Sequence, residues 1–431
     1  MKAKKIIYLE KILQLMAVVV LKRHKPKIVA ITGSVGKTST KAAVFGVLAA
    51  KFEVRENQKN YNNEIGIPLT IIGVESGGRN FFKWLWIFFK WLIVIVFPSY
   101  PEILVLELGV DRPGDMAYFM SFIKPTVGIV TNVSLSHIEF FKSLENTTKE
   151  KRVLIESMLP DNFAILNADD ENTIGMSKNT LAQVVSFGQN ENASMNASNV
   201  VYNYQDNKPA GISFKLNYEG TNIPVRLKHI LASHYVYPAL AAVAAGIIFK
   251  INLIDIANAL ESFRAPAGRM NLLDGKAGSF IIDDTYNASP MSTIAAINVL
   301  GELKAQRKIA VLGDMLELGD MTEAGHREVG HAIFDAKINI FIAVGKRMKS
   351  AVGELIALGF PSEKIFQFDD PMHAAEKVAQ LIVAGDFVLV KGSQGMRMEK
   401  IVEKIIANQA ERKNLLCRQS TEWQKNPFIE P

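Results

Sequence analysis

Residues 27–40, KIVAITGSVGKTST, join a short apolar run to a glycine loop and a helix-forming segment. The apolar run predicts a buried strand that ends at Gly33, and a helix is predicted to begin near Lys37. A glycine loop between a strand and a helix lets backbone N–H groups face phosphate oxygens. In such a loop the lysine reaches the β- and γ-phosphates and the next hydroxyl, here that of Thr38, ligates Mg²⁺. The two glycines, Gly33 and Gly36, are closer together than in the usual phosphate loop.

Strand-like and helical segments alternate along most of the chain, which predicts an α/β fold with mostly parallel sheets. We expect residues 185–228 to form an antiparallel edge or small subdomain, and the segment after Ala410 to be a frayed tail. The predicted division is a basic and apolar N-terminal helix in 1–26, a phosphate-loop domain in 27–262 with an apolar insertion at 79–99, a Rossmann-like α/β domain in 263–409, and a polar tail in 410–431.

Composition narrows the class of protein. The 431 residues are 48% hydrophobic and 21% charged, which is typical of a globular chain and excludes a disordered one. The single cysteine, Cys417, excludes a disulfide framework and a cysteine-based zinc site, and it fits a reducing compartment. Residues 1–27 carry eight Lys/Arg against one acid, Glu10, a pattern that favours an anionic surface over nucleic acid as partner. No small-residue cleavage site follows the apolar residues 12–21, so we expect no removable secretion signal.

Polar side chains follow two further predicted strands. Glu107 ends the apolar run ILVLE, and His137 and Glu139 come after the run VGIVT and a short loop. Since α/β sheets bind ligands beyond the carboxyl ends of their strands, a carboxylate and an imidazole there could complete a Mg²⁺ shell around a nucleotide phosphate. Taken singly, Glu107 could equally be a surface strand end, and His137 a loop histidine satisfied by its neighbours.

Longer motifs give a specific resemblance. Those of the first half are the glycine loop, NYNNEIGIP (60–68), ELG (107–109), TNV (131–133) with His137, and LNADD (166–170). They resemble the central domain of the Mur ligases, the ATP-dependent amide-forming enzymes of peptidoglycan precursor synthesis. Those of the second half are DDTYNASP (283–290), VLGDMLELG (311–319), VKGS (390–393) and GMRME (395–399). They resemble the branch of that family that adds D-Ala-D-Ala to a UDP-muramoyl-tripeptide.

The resemblance implies a set of functional residues. ATP would be bound by Gly33, Ser34, Val35, Gly36, Lys37, Thr38, Ser39, Asn167, Asp170, Arg269 and Asp284. Magnesium would be held by Thr38, Glu107, His137 and a carbamylated Lys151, and the catalytic residues would be Lys37, Lys151 and His137. The muramoyl-peptide and D-Ala-D-Ala substrates would contact Asn60, Asn62, Asn63, Tyr286 and Asn287. Read from its neighbours alone, Lys151 could instead be a solvated helix lysine.

Some features depart from the family pattern. Only about 26 residues precede the first core strand, where the family carries a uridine-binding domain, so we expect a weak grip on the sugar nucleotide or a partner subunit that supplies it. Ala232, Pro238 and Gln394 replace an expected glycine, asparagine and arginine. The alternatives are a ligase of the same fold acting on a folate or a cyanophycin-like polymer, and a non-catalytic ATP-binding partner subunit.

The insertion FFKWLWIFFKWLIVIVF (81–97) is apolar apart from Lys83 and Lys90, and it is rich in tryptophan. Lysine and tryptophan along one edge of an apolar helix are typical of an in-plane membrane anchor. Together with the helix 6–21, the insertion predicts a cytoplasmic enzyme bound to the inner face of the plasma membrane. The alternative is that the two helices pack on each other or on a partner subunit. We expect no nucleic-acid partner.

Overall fold

The computed structural model of the chain describes residues 4–58, 61–78, 80–134, 141–205, 208–420 and 423. These residues form two compact units. The first consists of Met1–Val201, Ser213–Leu227 and His234–Phe263, and the second of Tyr202–Ile212, Lys228–Ser233 and Arg264–Pro431. Among the described residues, no helix combines the length and the apolar character needed to cross a bilayer.

The first half of the chain alternates strands and helices as expected. In order its elements are α1 (Lys4–His24), β1 (Lys27–Thr32), α2 (Lys37–Ala49), β2 (Val54–Glu56), α3 (Gly66–Ile72), α4 (Phe81–Val96), β3 (Ile103–Glu107), α5 (Asp115–Met120), β4 (Val127–Val130), α6 (Leu144–Glu156), β5 (Phe163–Asn167), α7 (Glu171–Ile174), β6 (Gln183–Gly188), β7 (Met195–Gln205), β8 (Lys208–Tyr218), β9 (Thr221–Leu227), α8 (Val236–Ile248) and α9 (Leu253–Glu261).

These strands form one sheet in the order β2-β3-β1-β4-β5-β6-β7-β8-β9, with parallel pairing from β2 to β7. The mostly parallel α/β fold is therefore confirmed. Glu219 and Gly220 join β8 to β9 with positive φ angles of 47° and 75°, the two-residue hairpin geometry that suits antiparallel neighbours. The antiparallel edge expected at 185–228 is confirmed for this hairpin but is wrong for β6 and β7, which pair in parallel.

The core of the first unit explains why β1 is so apolar. Five of its six residues are buried, because parallel strands lie on both sides of it and helices cover both faces of the sheet. One core cluster combines residues of α1, α3, α5 and α6 with strands β1, β3, β4 and β5. The site of interest lies at the carboxyl ends of these same strands, where the chain turns into its loops.

The second unit contains a six-stranded sheet in the order β10-β11-β15-β12-β13-β14, parallel except for the β10–β11 pair. Its elements are β10 (Asn271–Asp274), β11 (Phe280–Asp284), α10 (Pro290–Glu302), β12 (Arg307–Gly313), α11 (Thr322–Asp335), β13 (Ile340–Val344), α12 (Lys349–Ala357), β14 (Ile365–Phe368), α13 (Pro371–Leu381), β15 (Asp386–Lys391), α14 (Glu399–Ile405) and α15 (Arg412–Leu415). Across both units, short 3-10 helices lie at Gly175–Asn179, Ser233–Tyr235, Lys276–Gly278, Gly319–Met321, Ser362–Lys364 and Gln394–Met396.

The segment 410–420, predicted as a frayed tail, is packed against the second unit, so that prediction is wrong for these residues. Leu416 and Cys417 are buried. The Arg418 guanidinium donates hydrogen bonds to the carbonyl oxygens of Thr285 and Tyr286 and lies 3.3 Å from a Glu399 carboxylate oxygen. These polar contacts join residues that are far apart in sequence, so no local sequence pattern could predict them.

Candidate active site

The glycine loop between β1 and α2 has the backbone that its sequence suggested. Gly33 and Gly36 have positive φ angles of 148° and 82°, and Gly36 stands at the N-cap of α2. A Cβ atom on Gly33 would lie 1.9 Å from the Thr131 hydroxyl oxygen, so only glycine fits there. Since Gly36 has no side chain to cap the helix, the first N–H groups of α2 remain available to an anion.

The loop is held in place by the chain that follows β4. The backbone N–H of Val35 donates to the Asn132 side-chain oxygen at 2.8 Å, and the Thr131 hydroxyl donates to the Val35 carbonyl at 2.6 Å. The Ser34 hydroxyl donates to the Ser134 carbonyl at 3.0 Å. These three bonds join the phosphate loop to the carboxyl end of the neighbouring strand and hold the loop against it.

Two lysines meet at this loop. The Lys37 ammonium donates to the carbonyl oxygens of Gly33 and Ser34 at 2.8 and 3.1 Å, and the Lys151 amine donates to the Gly33 carbonyl at 3.1 Å. Lys151 is 2% exposed. Burial, and secondarily repulsion from the Lys37 ammonium, lowers the pKa of Lys151 to about 7. A large fraction of Lys151 is therefore a neutral amine near neutral pH.

Glu107 lies at the end of β3, where it is the register partner of Ile31 in β1. The side chain is 4% exposed. One carboxylate oxygen accepts a hydrogen bond from the Asn62 amide at 3.2 Å, and the other is buried without a hydrogen-bond partner among the described residues. An unpartnered buried carboxylate oxygen is costly unless a cation or donor reaches it. This oxygen fits a metal ligand, although no described group of three or more His, Cys, Asp or Glu side chains could hold a metal by itself.

Asn57 positions Glu107, a role that the sequence did not reveal. Its amide group donates to the carbonyls of Tyr61 and Glu107, both at 3.2 Å, and its oxygen accepts from the Glu107 N–H at 2.8 Å. Lys41 pairs with Glu56 at 3.5 Å and donates to the Asn57 carbonyl. The one available signal was that Asn57 follows β2 directly, where polar residues border a ligand site.

The other predicted residues of the first unit have definite structural partners. The Asn63 side chain accepts from the N–H groups of Ile65 and Gly66 at the start of α3. Asn167 donates to the Thr131 carbonyl at 2.8 Å, and Asp170 accepts from the Val133 N–H at 2.7 Å. Asn167 and Asp170 thus join β5 to the segment that holds the phosphate loop. The predicted residues Asn60 and His137 lie outside the described residues.

In the second unit, the predicted residue Asp284 is the last residue of β11, and the predicted residues Tyr286 and Asn287 follow the strand. The Lys391 ammonium donates to the Asp284 carboxylate at 2.5 Å and to the Asn287 carbonyl at 2.9 Å. The Arg269 guanidinium carbon lies 4.1 Å from the centre of the Tyr286 ring, within the range of a cation–π contact. The unit therefore brings together all four residues predicted from it, and it adds Lys391 to them.

Asp314 and Ser393 complete the arrangement of loops in the second unit, and neither was among the predicted site residues. The Asp314 carboxylate accepts from the N–H groups of Arg347 and Met348 at 3.2 and 2.9 Å. The Ser393 hydroxyl accepts from the Leu316 N–H at 2.8 Å and donates to the Ala288 carbonyl. The loops after β11, β12 and β15 are joined at the edge where α/β sheets place ligands.

Comparison with known proteins agrees with this geometry. Residues 92–246 match the Mur ligase middle domain, and residues 268–394 match the Mur ligase, glutamate ligase domain. The UDP-N-acetylmuramoyl-tripeptide--D-alanyl-D-alanine ligase of Bacillus subtilis is 30% identical over 406 residues, which cover 91% of this chain and 79% of that protein. The chain belongs to the Mur ligase family. The Escherichia coli ligase of the same name is 29% identical to this Mur ligase, over 89% of this chain and 77% of that protein.

Solved structures lead to the same family. The MurF structure from Acinetobacter baumannii has a TM-score of 0.76 and 26% identity to this Mur ligase, covering 91% of this chain and 79% of that one. The Thermotoga maritima MurF ligase in complex with ADP has a TM-score of 0.74 and 25% identity, with 92% and 83% covered. The fold and the family expected from the motifs are confirmed. The expectation that the chain is an ATP-dependent amide-forming ligase is confirmed as well.

Proposed function

We propose that this Mur ligase joins D-Ala-D-Ala to a UDP-muramoyl-tripeptide at the expense of ATP, as part of peptidoglycan precursor synthesis. The relatives from Bacillus subtilis and Escherichia coli that carry this name support the proposed substrates. The motif DDTYNASP (283–290) supports the same branch, and within it Asp284 and Asn287 share the Lys391 ammonium.

One observation supports the proposed chemistry above all. The side-chain nitrogens of Lys37 and Lys151 both donate hydrogen bonds to the Gly33 carbonyl oxygen, within the phosphate loop. The γ-phosphoryl group of ATP is transferred to the substrate carboxylate, which releases ADP and leaves an acyl phosphate. The amine then attacks the acyl carbon, phosphate departs and the amine loses a proton. Lys37 and the N–H groups at the start of α2 offset the negative charge on the transferring phosphoryl.

Magnesium belongs to the same proposal. The unpartnered Glu107 oxygen and the Thr38 hydroxyl are the described groups that would hold it, with His137 as the predicted third ligand. When bound, Mg²⁺ lowers the repulsion between the phosphate oxygens and an incoming nucleophile. The Asn62 amide and the Asn57 bonds to the Glu107 backbone keep the carboxylate in one orientation.

We also propose that Lys151 is carbamylated in the active enzyme. Carbamylation joins the lysine nitrogen to the carbon of CO₂ with loss of one proton, and it requires the neutral amine. Burial supplies that form near neutral pH, because it lowers the pKa of Lys151 to about 7. The resulting carboxylate would remove the repulsion from Lys37 and add an anionic oxygen ligand at the loop.

Location and partners follow from the proposed substrates. An enzyme that uses ATP and nucleotide-linked precursors works in the cytoplasm. Contact with the inner face of the plasma membrane and contact with a partner subunit remain predictions, and they concern α1 and α4 rather than the phosphate loop.

Release of ADP by the full chain tests the proposed function. We expect ADP only when ATP, Mg²⁺, a UDP-muramoyl-tripeptide and D-Ala-D-Ala are all present, with a matching amount of dipeptide-extended product. Release with a folate and glutamate, or with a cyanophycin-like primer, would instead identify a related ligase. A chain that binds ATP but releases no ADP with any of these substrates would be a non-catalytic subunit, and the proposal would be wrong.

A further inference from the structure

Helix α4 presents a continuous apolar face to the outside of the first unit. Its residues Ile87 and Val94 are buried, and the side of the helix opposite them carries large exposed side chains. Exposure on this side ranges from 41% at Leu92 to 76% at Phe82. The side, called here the aromatic face, consists of Phe81, Phe82, Leu85, Trp86, Phe88, Phe89, Leu92 and Val96. A soluble protein rarely exposes an apolar patch of this kind without a partner.

Helix α1 fixes the orientation of α4. The Trp91 indole donates to the Met16 carbonyl at 3.0 Å, and Arg23 donates to the Ile95 carbonyl at 3.3 Å. Leu13 and Ile87 belong to one buried cluster. The aromatic face is thus held outward by a packed and hydrogen-bonded helix pair. Helix α1 adds exposed apolar residues of its own at Ile12, Leu15 and Val19.

The structure corrects the expected arrangement of tryptophan and lysine. Trp84 and Trp91 are partly buried against the α1–α3–α4 cluster, and the Trp84 indole donates to the Gly78 carbonyl at 3.0 Å. They therefore do not lie along one exposed edge with the lysines, although the sequence had predicted that arrangement. Trp86 is the tryptophan of α4 that lies on the aromatic face. Lys83 is exposed and Lys90 is half-buried, and they lie about one turn before and after Trp86, along the same border of the face.

We propose that the aromatic face docks in the plane of an anionic lipid bilayer. No Asp or Glu occurs between Ser76 and Pro101, while Lys83 and Lys90 lie along one border of the face and exposed Lys11, Lys22 and Arg23 lie on α1. Apolar side chains that enter the acyl boundary, with cations at the level of the headgroups, are how in-plane helices bind anionic membranes.

A transmembrane arrangement does not fit these observations. Helix α4 has 16 residues, a length of about 24 Å, which is shorter than a hydrocarbon core of about 30 Å. Its inner side is already packed through Ile87 and Val94, and spanning would expose the Met16 carbonyl that now accepts the Trp91 bond. The helix can keep these contacts only if it lies flat.

A protein partner fits the aromatic face less well than lipid does. Protein interfaces carry roughly one hydrogen bond per 100–200 Å². The Trp86 indole is the single side-chain hydrogen-bonding group among the eight residues of the face. A lipid surface needs no such bonds, and an anionic one also gives Lys83 and Lys90 negatively charged counterparts.

Vesicle flotation of the full chain tests the proposal. The vesicles contain phosphatidylcholine, with or without phosphatidylglycerol. The test variant is Phe82→Glu with Phe89→Glu, both on the aromatic face. The control is Leu181→Glu with Ile254→Glu, which makes the same charge change at residues of the first unit that are 74% and 72% exposed. Thermal unfolding and ADP release identify any variant that fails to fold.

We expect the unmodified chain and the control to float with anionic vesicles. The fraction of the Phe82/Phe89 variant that floats should be lower by about tenfold or more. Flotation should weaken with pure phosphatidylcholine. If the unmodified chain stays at the bottom with anionic vesicles, or if both variants float equally, the proposal is overturned. It is also overturned if nothing floats and light scattering finds a dimer that only the Phe82/Phe89 variant loses, since the face would then bind a second copy.

Discussion

The side-chain nitrogens of Lys37 and Lys151 share one acceptor, the Gly33 carbonyl oxygen, at 2.8 and 3.1 Å. Two ammonium groups so close together repel each other, and the buried one has the lowered pKa. We therefore expect the two lysines to have different roles. In the proposed chemistry, Lys37 supplies the positive charge at the loop and Lys151 supplies the amine for carbamylation.

Replacing Lys37 with alanine should remove the cation that faces the phosphates. We expect amide formation at saturating ATP to fall by about 10²-fold or more, because the lost charge acts mainly on the transition state. ADP release and product formation measure the effect. Lys51→Ala is the control, since Lys51 lies just beyond the far end of α2 and its ammonium donates to the Lys250 carbonyl. Near-normal activity of Lys37→Ala would show that the phosphate loop is wrongly assigned.

Replacing Lys151 with alanine should abolish activity, and short carboxylates such as acetate or formate should restore part of it. The reason is that the added anion would take the place of the carbamate oxygens. Lys149→Ala should be close to normal, because Lys149 lies on the exposed side of the same helix and pairs with Glu145. Full activity after complete removal of CO₂, with no carbamate detected by ¹³C NMR of the enriched enzyme, would contradict this prediction.

Replacing Glu107 with glutamine should raise the Mg²⁺ concentration needed for activity while leaving the fold intact. Glutamine keeps an oxygen for the Asn62 amide but puts an uncharged group where the unpartnered oxygen lies. We expect a shift of about tenfold or more in a Mg²⁺ titration of ADP release. Glu102→Gln, immediately before the opposite end of β3, should not shift it. Equal titration curves for both variants would exclude Glu107 as a ligand.

Asp283 should make stability depend on pH. Burial raises the pKa of the Asp283 carboxyl to about 6, whereas an unfolded Asp titrates near about 4. Between these values the folded state binds more protons than the unfolded state, so the free energy of unfolding falls as pH rises from about 4 to 6. In denaturant unfolding across this range, Asp283→Asn should lose that part of the slope. Asp274→Asn, at an exposed strand end, should retain it, and identical slopes would contradict the prediction.

Arg418 should contribute strongly to the stability of the second unit. Its guanidinium donates to the carbonyls of Thr285 and Tyr286 and pairs with Glu399, and the Arg418 and Glu399 side chains are 4% and 1% exposed. Arg418→Met should lower the free energy of unfolding by about 3 kcal/mol, because buried acceptors lose their donor. Arg412→Met breaks a partly exposed pair with Glu403 and should cost about 1 kcal/mol or less. Equal losses would show that the tail is not anchored through Arg418.

Much of the fold could be predicted because its strongest signals are local. Buried parallel strands are continuous apolar runs, and β1 and β3 lie where the runs ending before Gly33 and at Glu107 predicted them. The phosphate loop was recognised for the same reason, since strand, glycines, lysine and helix are consecutive in the chain. Glu107 was found because a charged residue ends an apolar strand.

Contacts between distant residues could not be predicted. Nothing near Asn57 indicates that its amide binds the backbone of Glu107, fifty residues away. The sequence predicted an apolar α4, but which side faces the protein depends on its contacts with α1, so the sequence could not show that Trp84 and Trp91 are partly buried. The docked tail depends on Arg418 and Glu399, a buried polar pair without any hydrophobic period.

The interleaving of the two units has a consequence for engineering. Each unit is assembled from three separate stretches of sequence, and the chain passes between them within β7, within β8, and again before and after residues 228–233. A chimera made by one crossover near residue 263 would therefore transplant the larger part of the second unit and leave 202–212 and 228–233 behind from the original parent. Grafting a complete second unit from another ligase requires three inserts. The two short inserts must be compatible with the recipient sequence on either side of them.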